Sequence, residues 1–109
     1  MDVVQPDLNY NGGFTRAARV ARMARKKNMW ICPHNTQTGA ASVNILHFAA
    51  STPNIGPWME YVHRGEKDDE PWYAPNFRIR NGVIPLPPGP GFGLTFDPAF
   101  IRKATPIKL

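Results

Sequence analysis

The chain has 109 residues, 42% of them hydrophobic, with 13 Lys and Arg against 8 Asp and Glu and a formal net charge of +5. This composition permits one small soluble domain and excludes low-complexity and coiled-coil classes, and no apolar stretch approaches the roughly 20 residues of a membrane-spanning helix. The basic balance, with a pI near 9.8, raises a nucleic-acid partner that has to be weighed against where the charges sit.

The N-terminal MDVVQPDLNY lacks a charged region leading into an apolar run, so no secretory signal is visible and a cytoplasmic location is expected. Residues 2–6, DVVQP, suit a buried parallel strand that stops at Asp7. After the turn Asn11-Gly12-Gly13, the residues Phe14, Ala17, Ala18, Ala21 and Ala24 recur at helical spacing. Arg16, Arg19, Arg22 and Arg25 share much of the remaining surface. The pattern predicts an amphipathic helix of about 14 residues, closing on Lys26, Lys27 and Asn28 beside the partly negative terminal carbonyls.

MWICP, residues 29–33, predicts a second buried strand ending at His34, and its Cys32, the single cysteine, reads as a small core residue rather than a nucleophile. Thr38 to Ser51, with Val43, Leu46 and Ala50 on one face, predicts a second helix bounded by Gly39 and Pro53. Trp58 to Val62 is a third strand candidate and carries Glu60.

This alternation predicts an α/β fold of parallel strands joined by crossover helices. Asp7 and His34 lie 27 residues apart and His34 and Glu60 lie 26 apart, so three ionisable groups recur near strand ends in register. In a (β/α)8 barrel the active site sits at the C-terminal strand ends. Parallel neighbours about 4.8 Å apart allow an Asp carboxylate to accept a hydrogen bond from an imidazole on the next strand.

Beyond Val62 come the charged loop HRGEKDDE and NFRIRNGVIPL, a β-hairpin signal around Asn-Gly. PPGPGFG is too rich in Pro and Gly for regular structure; Gly89 to Gly93 lacks the Lys-Ser/Thr ending of a phosphate loop. Asp97-Pro98 reads as the cap and first residue of a short helix ending near Lys103. The expected division is 1–62, three β/α units, and 63–109, an extension with hairpin, Pro/Gly-rich crossover and final helix.

QPDLNYNGG, a helix, PHN, WMEY and GVIPLPPGPGFGLTFD, in this order and spacing, together resemble the last third of a mandelate racemase-type enzyme of the mandelate racemase/muconate lactonizing group of the enolase superfamily. Each piece is common alone; together they cover nearly the whole chain. The resemblance implies about strands 6 to 8 of a TIM barrel, plus a hairpin and short helix that would pack on a capping domain outside this chain. It implies that Asp7 orients His34, which acts as general base toward the proton alpha to a carboxylate or as general acid toward a departing hydroxide. It further implies that Glu60, protonated, donates to the enediolate oxygen. Asn35 and Gln37 could contact substrate hydroxyls. The alternative reading has Asp7 capping a turn, His34 as a satisfied barrel-mouth histidine, Glu60 as a solvated strand end, and Asn35 and Gln37 as solvated loop residues. Muconate-lactonizing relatives place a catalytic Lys shortly before the Gly pair, where this sequence has Asn9, Tyr10 and Asn11, which favours the His-Asp mechanism.

What the resemblance implies for activity is a Mg2+-dependent acid-sugar dehydratase, a lyase, with a racemase or epimerase of 2-hydroxy acids, an isomerase, as the alternative. Its substrate would be a small hydroxy or sugar acid, and the complete enzyme a homo-oligomer. The acidic Mg2+ ligands on the third to fifth strands would precede Met1, so no metal ligand is expected in this chain. An isolated piece with an open sheet edge is expected to be a fragment or truncated reading frame that folds poorly and has no turnover. A non-catalytic remnant stays open. A basic nucleic-acid-binding module is remote, because the arginine row lies opposite an Ala-rich packing face and no nucleic-acid motif accompanies it; no membrane partner is expected.

Overall fold

The computed structural model describes residues 2–65 and 69–107. Strand β1 (Val3–Val4) runs parallel to β2 (Trp30–Ile31), with Val3 opposite Trp30 and Val4 opposite Ile31. The same register continues to a bridge between Asp7 and His34, supported by the Cys32 N–H donating to Val4 O at 3.0 Å and the His34 N–H to Pro6 O at 3.1 Å. The 27-residue spacing is thus a register. On the other side of β2, Ile31 bridges Ile55 in parallel, its N–H donating to Asn54 O at 2.9 Å while the Gly56 N–H donates to Ile31 O at 2.7 Å.

This third pairing corrects the strand expected over 58–62, which carries no ladder. Pairing with β2 is made at 54–56, and Pro57, which has no N–H to give, ends it. The arrangement is α/β: three parallel extended segments in chain order, linked by helices.

Helix α1 (Gly13–Arg25) buries Ala17, Ala21 and Ala24, small side chains that bring its axis close to β2. It starts on Gly12 and Gly13 at φ 81° and 66°, left-handed values that glycine adopts without Cβ strain. Asn28 at φ 54° ends it, letting the Met29 N–H reach back to Ala24 O at 3.0 Å. The four arginines are exposed.

The second helical stretch begins as a 3-10 turn, Gly39–Ser42, and becomes helix α2 only over Val43–Ser51. Its buried face is Val43, Ile45 and Phe48, while Leu46 is half-buried and Ala50 exposed. Leu8, the α1 alanines, Ile31, Ile45 and Phe48 form one core. Buried Asn54 ties it together, its amide donating to Ala21 O and Met29 O, both at 3.1 Å. Cys32 is half-buried at its margin rather than inside it.

The rest of the chain is held by rings. Strand β3 (Tyr73–Ala74) pairs antiparallel with β4 (Thr95–Phe96), and Trp72 stacks on Phe96 and Phe100 with centroids 5.8 and 5.2 Å apart. The hairpin is a minimal one: Arg80 and Val83 exchange both backbone hydrogen bonds across Asn81 and Gly82, which have φ 51° and 76°, as a primed turn requires. Asp97 accepts from the Ala99 N–H at 2.9 Å and caps helix α3 (Pro98–Arg102). Phe92, from the Pro/Gly-rich stretch, stacks on Phe14 of α1 and packs on His47 of α2. No helix among the described residues is long and apolar enough to cross a membrane.

Candidate active site

His34 follows buried Pro33 just beyond β2, so the parallel register holds its backbone opposite Asp7. Were the ladder to run on from Ile55, Trp58 would face His34; Glu60 lies two residues further and turns its side chain back. Its Oε2 sits 2.7 Å from His34 Nδ1 and accepts the Asn35 N–H at 2.8 Å. The two side chains remain 42% and 37% exposed, so the pair is reachable from solvent.

The Asn35 N–H, and then the hydrogen bond and charge of His34, hold the Glu60 carboxyl below its ordinary value against the opposing effect of burial. In this arrangement Glu60 Oε2 faces two donors, His34 Nδ1 and the Asn35 N–H. With Glu60 accepting at Nδ1, that ring nitrogen carries a proton, and Nε2 is the one left for other partners.

The Asp7 side chain is turned toward its own loop. Its Oδ1 accepts the N–H groups of Asn9 at 2.7 Å and Tyr10 at 2.8 Å, so the carboxylate closes its own loop. A short Asp side chain finds backbone donors two and three residues ahead more readily than an imidazole on the next strand. The side chain within hydrogen-bond distance of His34 Nδ1 is that of Glu60, and Asp7 meets His34 through backbone register.

Asn35 is also placed differently from the expectation of a substrate contact. It is 1% exposed, and its Oδ1 accepts the Gln37 N–H at 3.0 Å while its amide meets Ser42 Oγ at 3.4 Å. Gln37 is half-buried, and its carbonyl accepts from Ser42 Oγ at 2.8 Å. Ser42, fully buried, was hidden in the sequence inside an Ala-rich run. Nothing in its sequence neighbourhood marked it.

The described residues contain no group of three or more His, Cys, Asp or Glu placed to hold a metal ion. The two candidates that do meet, His34 and Glu60, use their facing atoms on each other. A Mg2+ site needs several oxygen ligands around one point, and these residues do not fit it. The groove of about 540 Å3 beside Glu60, lined by Ile45, Leu46, Trp58, Met59 and Ile84 among others, is apolar and matches a packing surface better than a hydroxylated ligand.

The family model described as enolase C-terminal domain-like matches residues 1–100. The chain belongs to this family. Among enolase superfamily relatives it is 33% identical over 104 residues, 89% of this chain and 28% of the relative, to D-galactarolactone cycloisomerase of Agrobacterium fabrum. It is 28% identical over 95 residues, 87% of this chain and 25% of the relative, to arabinonate dehydratase of Saccharolobus solfataricus. Among solved structures it superposes with a TM-score of 0.75 and 27% identity on a mandelate racemase subgroup enolase from Agrobacterium tumefaciens, covering 93% of this chain and 27% of that one. An enolase superfamily member from a Polaromonas species gives a TM-score of 0.74 at 30% identity, over 98% of this chain and 28% of the other. The chain thus spans between a quarter and a third of the length of these enolase superfamily relatives.

Proposed function

We propose that this enolase superfamily chain supplies the proton-transfer side of an active site that dehydrates acid sugars, and that it forms about strands 6 to 8 of a (β/α)8 barrel. The observation that carries the reading is the His34–Glu60 pair, held where three parallel segments end and still open to solvent. His34 Nε2 removes the proton alpha to a carboxylate, or returns a proton to the hydroxide that departs from the neighbouring carbon, so the products are a keto acid precursor and water. Glu60 stabilises the imidazolium formed between these events. Mg2+ belongs to the proposal only through the complete enzyme, and no step here is routed through it.

The cycloisomerase relative favours a second reading, in which the same proton removal is followed by reprotonation or ring rearrangement rather than loss of water. Both are tested in the complete protein containing this chain, supplied with Mg2+ and a library of acid sugars. Dehydration yields a keto acid; isomerisation yields a product of unchanged composition. His34→Asn is expected to lower kcat by roughly 10^2 to 10^4, and a smaller loss removes His34 from the chemistry. The purified 109-residue chain is expected to show no turnover. Mg2+-dependent dehydration by that chain alone overturns the view that the site is shared with other residues.

A further inference from the structure

We infer that Asn44 of α2 and Phe92 of the Pro/Gly-rich segment are positioning residues that hold the 7–13 loop, and with it the Asp7 carboxylate, at the strand end opposite His34. The inference rests on the reading that these strand ends form the active site. Bonds inside the loop set its shape: Asp7 Oδ1 accepts the Asn9 and Tyr10 N–H groups at 2.7 and 2.8 Å, and the Gly13 N–H donates to Leu8 O at 2.9 Å. Beyond buried Leu8, residues 9–12 are exposed, and what ties them to the fold comes from later in the chain.

The first tie is Asn44, in the first turn of α2. Its Oδ1 accepts the Ile45 N–H at 2.8 Å, which turns its amide nitrogen the other way, and that nitrogen donates to Asn9 Oδ1 at 2.8 Å. Asn9 is thereby held on α2 by its side chain while its own N–H holds Asp7. A shift of Asn9 moves a donor on which the Asp7 carboxylate rests.

The second tie closes the far end of the loop. Phe14, directly after Gly13, meets the Phe48 ring edge-on at 6.1 Å and stacks on Phe92 at 6.3 Å. Phe92 also packs on His47 at 5.4 Å, and its carbonyl accepts from His47 Nε2 at 3.2 Å. Asn44, His47 and Phe48 are three and four residues apart, so one face of α2 serves both ends of the loop. The segment that carries Phe92 is turned tightly on itself, with the Gly93 N–H donating to Pro90 O at 3.0 Å. Gly93 sits at φ +67°, and a Cβ there would lie 2.6 Å from Pro87 O; glycine fits this turn where a side chain does not, and the turn presents Phe92 as a wedge.

The test is amide hydrogen exchange, read by NMR on the whole chain. Asn44→Ala and Phe92→Ala are each expected to speed exchange at the Asn9 and Tyr10 amides roughly 2- to 10-fold, as loss of one modest contact should, with Ala21 and Ala24 in α1 unchanged. Asn9→Ala combined with Asn44→Ala should speed the Tyr10 amide no more than either alone, because both delete the same bond. Phe92→Tyr, which keeps the ring, should leave exchange as it was. In the complete protein, Asn44→Ala and Phe92→Ala are expected to lower kcat severalfold with KM little changed. The inference is overturned by unchanged exchange at both amides in both variants, by a rise shared equally with Ala21 and Ala24, by additive effects of Asn9→Ala and Asn44→Ala, by a Phe92→Tyr chain that exchanges like Phe92→Ala, or by a faster-exchanging loop with kcat intact. An unsubstituted complete protein that turns over no acid sugar, beside the expected exchange effects, breaks the proposed function and leaves the hold on the loop standing.

Discussion

Around Ile31 the chain packs alanines and aliphatic side chains between helices and a parallel ladder, whereas around Trp72 it stacks rings with only two residues of backbone pairing on each side. The first arrangement fixes backbone direction, because each ladder bond constrains where the next side chain emerges; His34 and Asp7 are placed that way. The second fixes surfaces rather than directions, and tolerates the Pro/Gly-rich segment between its strands. The two meet where Phe92 packs on Phe14 and His47 and where Tyr73 lies under Gly39. The ladder therefore positions the candidate site, and the aromatic region braces it.

The largest expected effect that tests this contrast is Ile31→Ala. Ile31 is 0% exposed and lies between β1 and the 54–56 segment, to which both its backbone hydrogen bonds run, so truncation should cost about 2–5 kcal/mol in urea unfolding followed by far-UV circular dichroism. A cost under about 1 kcal/mol places the core elsewhere. Trp72→Ala should be milder, about 2 kcal/mol, because the ring is half-buried and its partners are largely ring faces. Amide hydrogen exchange should rise over 72–100 while α1 stays protected. Equal loss in α1 merges the two regions into one cooperative unit.

Acid should separate the regions next. Glu60 is held below its usual 4.5 by the Asn35 N–H and His34, and Asp69 below its usual 3.8 by the Arg78 guanidinium. A depressed carboxyl pKa stabilises the fold above the unfolded value, and that contribution disappears as pH falls through the folded one. The site's share should begin to fade below pH 4.5 and the extension's below 3.8. Glu60→Gln should remove the first dependence alone and Asp69→Asn the second alone; both groups are solvent-accessible, so the changes are small. An unaltered acid profile in Glu60→Gln contradicts the pairing. Smallest is Asp97→Ala, which deletes the α3 cap at about 0.5–1 kcal/mol, visible in exchange of the Ala99 amide and absent from the unfolding of the core.

Features governed by neighbours in sequence were legible. The helix of alanines, the Asn81-Gly82 turn and the Asp97-Pro98 start each rest on local backbone preference, and the repeat spacing between Asp7 and His34 became an actual register. The third pairing was misplaced: it lies at Ile55, before Pro57, and not over Trp58 to Val62. The side chain that meets His34 Nδ1 was not legible: Asp7 and Glu60 both lie within side-chain reach of it by spacing, and only the folded loop shows Asp7 Oδ1 taken by the Asn9 and Tyr10 N–H groups. Pairing of β3 with β4 depends on rings brought together over a long separation, with no alternation in either strand to announce it. Ser42 was invisible because its role exists only once Asn35 and Gln37 fold back onto it.

The measurement that bears most directly on the central claim compares the His34 Nδ1–H resonance in Glu60→Gln and Asp7→Asn. Loss of the charged-acceptor shift in Glu60→Gln, with Asp7→Asn close to the unsubstituted chain, is the predicted result. The reverse, a shift that survives Glu60→Gln and disappears in Asp7→Asn, would return the orienting role to Asp7 and contradict the account.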